Sequence, residues 1–185
     1  NHDWWDQIET QHRRKGPTRA GLALEAAGVP VYENRAVRLS KDGQPFWIAG
    51  LGDQWAFWPL EKDYEKFKRE GKIGYEGVDD LPATLAQIKD DAPVILMAHE
   101  PDIFPDVPDR VAVTLSGHTH GGQVRLFGFS PIVPSRFKNR YAYGHVIEDG
   151  RNLIVSGGLG CSGFPLRFGV TPEIVVVDLG TSTTA

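Results

Sequence analysis

The stretch PVILMAHE, residues 93–100, is an apolar run that ends in a histidine, and VAVTLSGHTHGG, residues 111–122, repeats that arrangement. Uninterrupted apolar runs of this kind are typical of strands that are buried on both faces of a parallel sheet. Ligands of open α/β sheets gather at the carboxyl ends of the strands. We therefore predict that His99 and His118 lie at one sheet edge, with ring nitrogens within roughly 6 Å, as two ligands of one ion require.

The rest of the chain predicts helices early and strands late. A helix over residues 17–27 should end at Gly28, and a helix over residues 81–89 should be capped by Asp79 or Asp80. A charged helix is predicted over residues 61–70. Further strands are predicted over residues 29–32, 36–39, 45–51, 123–127, 141–148, 153–156 and 174–179, with a hairpin turn at residues 42–43. This order favours an α/β or α+β layered sheet over a bundle or a barrel.

The composition is that of an ordinary folded chain, with 41% hydrophobic and 24% charged residues. A formal net charge of -4 provides no overall basic field, so we expect no nucleic-acid partner. The single cysteine, Cys161, excludes an intramolecular disulfide and a cysteine-rich zinc site. Histidine, asparagine and carboxylates remain as metal ligands. No apolar run reaches the ~20 residues that a membrane-spanning helix needs.

His118 and His120 stand two residues apart among glycines. In an extended segment such residues project to the same side, with Cα atoms roughly 6.5 Å apart, so that two imidazoles can address two neighbouring ions. The alternative is a pair of surface histidines in a flexible loop. Taken alone, His99 would more often be a hydrogen-bonded histidine at a strand end than a ligand, and the polar tripeptide at residues 1–3 would usually be a solvated terminus. Taken together, the three groups favour a metal site.

These groups, in this order along the chain, resemble the calcineurin-like metallophosphoesterase family. The similarity is to bacterial phosphodiesterases associated with the cell wall and the membrane, and it covers residues 1–5, 98–102, 117–123 and 158–169. The resemblance implies an α/β fold in which residues 1–180 are the C-terminal part of a single domain, a four-layer α/β/β/α sandwich. Residues 181–185 are expected to form a tail. The family's Asp-x-His and Gly-Asp-x-x-Asp motifs do not occur here, and we expect them in the reading frame upstream of Asn1.

The resemblance also implies roles for individual residues. Asn1, His99 and His118 would hold one of two divalent ions (Mn, Fe or Zn), and His120 would reach the other. His2 would protonate the leaving oxygen, with Asp3 orienting its imidazole. The implied reaction is hydrolysis of a phosphomonoester or phosphodiester by a metal-bound hydroxide. Because the family's carboxylate ligands are not found, we expect the 185-residue chain alone to bind metal poorly and to hydrolyse little.

Two other functions stay open: cleavage of the pyrophosphate of a nucleotide-linked lipid sugar, and a non-catalytic scaffold that keeps the fold. Residues 127–140 mix aromatic and basic side chains, which indicates either a solvated loop or a lip that meets a lipid-linked substrate or a membrane surface. Arg167 is expected to bind phosphate or to pair with a structural carboxylate. The expected location is the bacterial cytoplasm, or the membrane or cell envelope through a segment upstream of Asn1.

Overall fold

The structure is a computed structural model, and it describes residues 1–60 and 74–180. Within these residues it contains a six-stranded mixed sheet, whose spatial order is β1-β2-β3-β4-β6-β5. The pairs β2-β3, β3-β4 and β4-β6 are parallel, and the two edge pairs are antiparallel hairpins. The strands are β1 (Arg35–Lys41), β2 (Gln44–Gly50), β3 (Val94–Met97), β4 (Val111–Ser116), β5 (Gly144–Glu148) and β6 (Arg151–Val155). The architecture is mixed α/β, as the sequence predicts.

The helices are short. Within residues 1–60 and 74–180 the α-helices are α1 (His2–Trp5), α2 (Ile8–Arg13), α3 (Arg19–Ala26) and α4 (Leu81–Leu85), and the 3-10 helices are Pro101–Asp106, His120–Gly122 and Lys138–Tyr141. The helix predicted over residues 61–70 falls outside the described residues. In the part of the chain that the structure describes, no helix is long and apolar enough to cross a membrane.

Local chemistry explains where the predicted helices begin and end. The Thr18 hydroxyl accepts a hydrogen bond from the Gly21 backbone at 3.1 Å, which begins α3, and Gly28 follows the helix with a φ of +80°. Asp80 caps α4 by accepting from the Ala83 backbone at 2.9 Å. This helix ends at Leu85, so the predicted extension to residue 89 is wrong.

The main hydrophobic core covers one face of the sheet. Val94 and Leu96 of β3 point into it, together with Phe104 of the first 3-10 helix and Leu153 of β6. The next position of β3, Met97, is exposed. Met97 departs from the burial on both faces that the apolar runs predict, whereas Val113 and Thr114, consecutive residues of β4 that face opposite sides of the sheet, are both buried.

Three predicted strands form no ladder with any strand that the structure describes. Residues 29–32 include Pro30, which cannot donate a backbone hydrogen bond. Residues 123–127 turn sharply, because Gln123 and Phe127 both have a φ near +50°, and they form isolated bridges, from Val124 to Phe168 and from Leu126 to Phe129, in place of a ladder. Residues 174–179 have the composition of a strand but no described partner strand beside them. Strand propensity alone does not make a segment a strand, because a strand also needs a neighbour to pair with.

Replacing Phe104 with alanine should lower the free energy of unfolding by about 3–5 kcal/mol. The side chain is 0% exposed and packs edge-on against Tyr141, with ring centroids 5.7 Å apart, so truncation leaves a cavity in the core. Urea unfolding followed by circular dichroism measures the change. Phe127→Ala is the matched control: this ring is fully exposed, and its loss should change the same free energy by less than about 0.5 kcal/mol. Equal losses in the two variants would contradict the assignment of Phe104 to the core.

Candidate metal centre

His99 and His118 meet because their two strands are neighbours and end at the same edge. The Ala98 backbone donates to the Leu115 carbonyl at 3.0 Å, and the Gly117 backbone donates to the His99 carbonyl at 3.0 Å, so the pairing continues beyond both strands. The imidazole centroids lie 5.1 Å apart. One potential ligand atom from each of His99, Glu100 and His118 lies within 4.8 Å of the others. The expected proximity of the two histidines is thus observed, while their role as ligands stays a prediction.

Glu100 is a member of this cluster that the sequence analysis did not single out. Its side chain is 0% exposed, and one carboxylate oxygen accepts a hydrogen bond from the Gln54 backbone at 3.0 Å. The other oxygen lies 3.9 Å from His118 Nδ1. The available signal was its place directly after His99, at the end of an apolar strand. A buried charged side chain is rare unless it is paired or binds a cation, so Glu100 supports a cation site.

The loop that carries His118 and His120 is wound rather than extended. Both histidines have positive φ values, 64° and 52°, in the left-handed region that non-glycine residues seldom occupy. Thr119, between them, is buried and donates its hydroxyl to the Ala142 carbonyl at 2.7 Å, which anchors the turn. The expected same-side projection from an extended segment is therefore wrong. Such backbone outliers concentrate at functional sites.

All the predicted site residues except Asp3 line one cavity. A space of about 620 Å³ is lined by Asn1, His2, His99, His118 and His120, among other residues. His120 lies outside the close cluster formed by His99, Glu100 and His118. His2 and Asp3 are exposed on α1, and among the described residues no hydrogen bond joins their side chains. The structure brings the five residues named for this cavity together, and the orienting role of Asp3 stays a prediction.

An aromatic stack supports His118 from the side. The Trp55 ring packs edge-on against the His118 imidazole with centroids 4.5 Å apart. Tyr75 is stacked between Trp55 and Trp5, at centroid distances of 4.9 Å and 5.1 Å. The Trp5 indole donates to the Trp55 carbonyl at 2.8 Å. These tryptophans form the rim of the cavity, in agreement with the packing role that the sequence favours.

The polar atoms of the cluster suit a cation. Glu100 Oε1, His118 Nε2 and His120 Nδ1 are buried, and none has a hydrogen-bond partner among the described residues. Burial lowers the pKa of His118 to about 3, which keeps its imidazole neutral, the form that binds metals. Burial, followed by the negative charge of Asp53, raises the pKa of Glu100 to about 8. A cation between these groups would favour the ionised carboxylate, so the residues fit a divalent metal.

Arg167 and the basic loop over residues 127–140 have partners within the fold. Arg167 donates its Nε to the Gly160 carbonyl at 2.8 Å and also contacts the Gly157 carbonyl, so backbone carbonyls hold it among the described residues, and its phosphate role stays a prediction. Its positive charge, after burial, lowers the pKa of His120. In the basic loop, Arg136 pairs with the buried Asp102 at 3.4 Å, and Arg140 pairs with Glu148 at 2.7 Å. Much of the positive charge of this loop is therefore neutralised by carboxylates of the fold.

Several curated proteins are similar to most of this chain. A metallophosphoesterase of unknown function from Bacillus subtilis, YkuE, is 35% identical over 158 residues, which cover 84% of this chain and 48% of that protein. An uncharacterized metallophosphoesterase of Aquifex aeolicus is 32% identical over 157 residues, covering 84% and 52% of the two chains. The phosphodiesterase YaeI of Escherichia coli is 30% identical over 162 residues, covering 86% and 50%. These similarities support the calcineurin-like metallophosphoesterase family.

The metallophosphoesterase similarity extends over a limited part of each relative. The chain spans about half the length of the curated relatives named above. No protein-family model matches the chain. No solved structure matches it either. The similarity therefore supports only a proposal for the activity of the whole protein.

Without bound metal, the cluster of His99, Glu100 and His118 should make stability depend on pH through Glu100 and His118. The carboxyl pKa rises from 4.5 to about 8 on folding, so between these values the folded chain keeps a proton that the unfolded chain loses, and the unfolding free energy falls as pH rises. The imidazole pKa falls from 6.5 to about 3, so between those values the unfolding free energy rises with pH. The two trends oppose each other between pH 4.5 and 6.5, and only Glu100 acts from pH 6.5 to 8.

Glu100→Gln should therefore remove a loss of stability between pH 6.5 and 8. The effect should approach about 1.4 kcal/mol per pH unit, because one proton is involved and the amide cannot ionise. Urea unfolding of the metal-free chain at both pH values measures it. Glu25→Gln, at an exposed position on α3, is the matched control and should behave as the original chain. An unchanged pH slope in Glu100→Gln would show that this carboxyl does not bind the proton.

Proposed function

We propose that the protein is a two-metal phosphoesterase and that this chain supplies most of the imidazole ligands of its centre. The observation that carries the proposal is the cluster of His99, Glu100 and His118, whose ligand atoms lie within 4.8 Å of one another at the carboxyl edge of a parallel sheet. Ligand sites of open α/β sheets occur at this edge. The similarity to metallophosphoesterases supports the same reaction class.

The proposed division of labour follows the positions of the ligands. Asn1, His99 and His118 hold one ion, and His120, which lines the same cavity but lies outside the close cluster, reaches the second. Glu100 adds a carboxylate beside His118, which compensates part of the positive charge. Neutral imidazoles and oxygen ligands suit Mn, Fe or Zn. When bound, the ions supply Lewis-acid polarisation of the phosphate oxygens and lower the pKa of a water molecule.

His2 is the proposed proton donor. It is exposed and borders the same cavity as His99 and His118, so it can reach a leaving group without being a ligand. Its ring lies 5.3 Å from the Trp5 ring, which limits the orientations of the imidazole. Asp3, the next residue on α1, is the proposed orienting carboxylate.

A phosphodiester or phosphomonoester is the proposed substrate class. The Escherichia coli relative is named a phosphodiesterase, which favours a phosphodiester as the substrate. One observation favours the second candidate, a nucleotide-linked lipid sugar whose pyrophosphate is cleaved: the cavity that holds the histidines is also lined by Val124, Ile132, Phe164 and Leu166. An apolar wall beside a phosphate site suits a substrate with an acyl group. The proposed location remains the cytoplasm or the cell envelope.

Metal-dependent hydrolysis of bis(4-nitrophenyl) phosphate tests the proposal. The product of the whole reading frame should hydrolyse this diester with Mn²⁺ and lose the activity with a chelator, because the ions activate both water and phosphate. The 185-residue chain alone should hydrolyse little, since its close cluster contains only one carboxylate. Absence of turnover by the whole product with Mn²⁺, Fe²⁺ and Zn²⁺ would favour the non-catalytic scaffold. Robust turnover by the chain alone would show that its own ligands suffice.

A further inference from the structure

Two loops beside the cavity expose apolar side chains, which we call the apolar lip. Ile132, Phe164 and Leu166 of the lip line the cavity, and Phe127 and Phe129 lie at the exposed tip of the first loop. Phe127 is fully exposed, and Phe164 and Ile132 are 81% and 79% exposed. Single exposed apolar residues are common, but a contiguous group with several aromatic rings marks a surface that contacts an apolar partner.

Backbone hydrogen bonds hold the two loops of the apolar lip together. The Arg125 backbone donates to the Phe168 carbonyl at 2.7 Å, and the Phe168 backbone donates to the Gln123 carbonyl at 2.8 Å. At the tip of the first loop, Leu126 and Phe129 exchange backbone hydrogen bonds at 2.8 Å and 2.9 Å. Phe127 and Gly128 between them both have positive φ, so a tight turn projects the Phe127 ring away from the fold.

The charge around the apolar lip is positive, although the whole chain has a net charge of -4. Residues 111–147 contain Arg125, Arg136, Lys138 and Arg140 but no aspartate or glutamate, and residues 151–172 contain no carboxylate either. Arg136 and Arg140 are paired with carboxylates outside these segments. Arg125 lies over the Tyr143 ring, whereas Lys138 is exposed and forms no salt bridge among the described residues. The apolar lip therefore combines exposed apolar side chains with Lys138, a cation that has no carboxylate partner among the described residues.

We propose that the apolar lip docks on an anionic lipid bilayer, with Phe127 and Phe164 inserted at the boundary between head groups and acyl chains. Amphipathic surfaces of this kind bind membranes through buried apolar area and through attraction to anionic lipids. A second copy of the chain fits less well, because a symmetric contact would place the same cations opposite one another. Docking would turn the cavity mouth toward the lipid phosphates. The proposal holds whether or not the cavity binds metal.

Vesicle co-sedimentation of the 185-residue chain tests this docking. The chain should bind vesicles of phosphatidylcholine with phosphatidylglycerol more tightly than vesicles of phosphatidylcholine alone, and added salt should weaken the difference. Phe127→Ser and Phe164→Ser should each lower the partition coefficient about tenfold, because each removes a ring from the apolar phase. Lys138→Gln should lower binding to the anionic vesicles about fivefold and leave binding to the neutral ones unchanged.

The matched controls are Ile174→Ser and Val176→Ser. These side chains are 79% and 81% exposed, as much as those of the apolar lip, but they lie outside it, beside Glu173 and Asp178 in the sequence. Both control variants should keep the original vesicle binding. Absence of binding, or equal binding by lip and control variants, would overturn the proposal. So would a concentration-dependent dimer, seen by light scattering, that Phe127→Ser abolishes while vesicle binding persists.

Discussion

Replacing His118 with alanine should lower the affinity of the product of the whole reading frame for Mn²⁺ or Zn²⁺ by at least about 100-fold. Loss of an outer-shell partner of a metal ligand typically costs 10–100-fold, and loss of a ligand should cost more. His118 is also the proposed ligand that lies beside both His99 and Glu100. Isothermal titration calorimetry on the product of the whole reading frame measures the affinity. Co²⁺ offers an independent signal, because quenching of Trp55, 4.5 Å from the imidazole, should accompany binding.

His145→Ala is the matched control for this experiment. His145 is exposed on β5 and is hydrogen-bonded to Asn152 at 3.0 Å, and it is not part of the cavity lining. Its replacement should leave metal affinity unchanged. Retention of the original affinity by His118→Ala, with circular dichroism showing an intact fold, would remove His118 from the metal site.

Replacing His2 with alanine should reduce hydrolysis by the product of the whole reading frame about 10²–10⁴-fold on alkyl esters of phosphate and far less on nitrophenyl esters. An alkoxide leaves with difficulty unless it is protonated, whereas nitrophenolate is a good leaving group without help. His2 borders the cavity from an exposed position on α1, where loss of its ring should not disturb the cluster around His118. Comparison of kcat/KM on the two ester types, alongside metal analysis of the variant, measures the effect.

The two histidine variants should differ in kind. His118→Ala should lose metal and harm every substrate alike, while His2→Ala should keep its metal content. His12→Ala, at an exposed position on α2, is the control for a general effect of removing a surface histidine and should retain full activity. Equal losses on both ester types, or loss of metal from His2→Ala, would make His2 a ligand or a structural residue instead of the proton donor.

The proximity of His99 and His118 could be predicted because it depends on a local pattern and one general rule. Each histidine follows an apolar run that forms a strand, β3 or β4, and these strands pair in parallel as neighbours. Parallel neighbours end at the same edge, so residues that follow them meet. The hairpin of β1 and β2 was predictable for a similar reason, since Asp42 and Gly43 both adopt the positive φ that a two-residue turn requires.

Glu100 and the strands that failed to form show where local reasoning ends. The orientation of Glu100 depends on Gln54, which is far from it in the sequence. The Gln54 backbone donates a hydrogen bond to the Glu100 carboxylate, and no local pattern around residue 100 indicates this contact. Residues 174–179 have strand propensity, but pairing requires a neighbour that propensity does not specify. The winding of the loop at His118 and His120 likewise depends on Thr119, whose hydroxyl bonds to Ala142, 23 residues further on.

The sequence by itself determined the fold class and the place of His99 and His118 at the ends of β3 and β4, because periodicity and strand-end position are properties of short segments. Only the tertiary structure decided that Glu100 joins the cluster, that carbonyls of its own loop hold Arg167, and that Phe127 and Phe164 are both exposed. These outcomes depend on contacts between segments that are far apart in the chain. Such contacts are set by the packing of the whole sheet and its loops, which no single segment encodes.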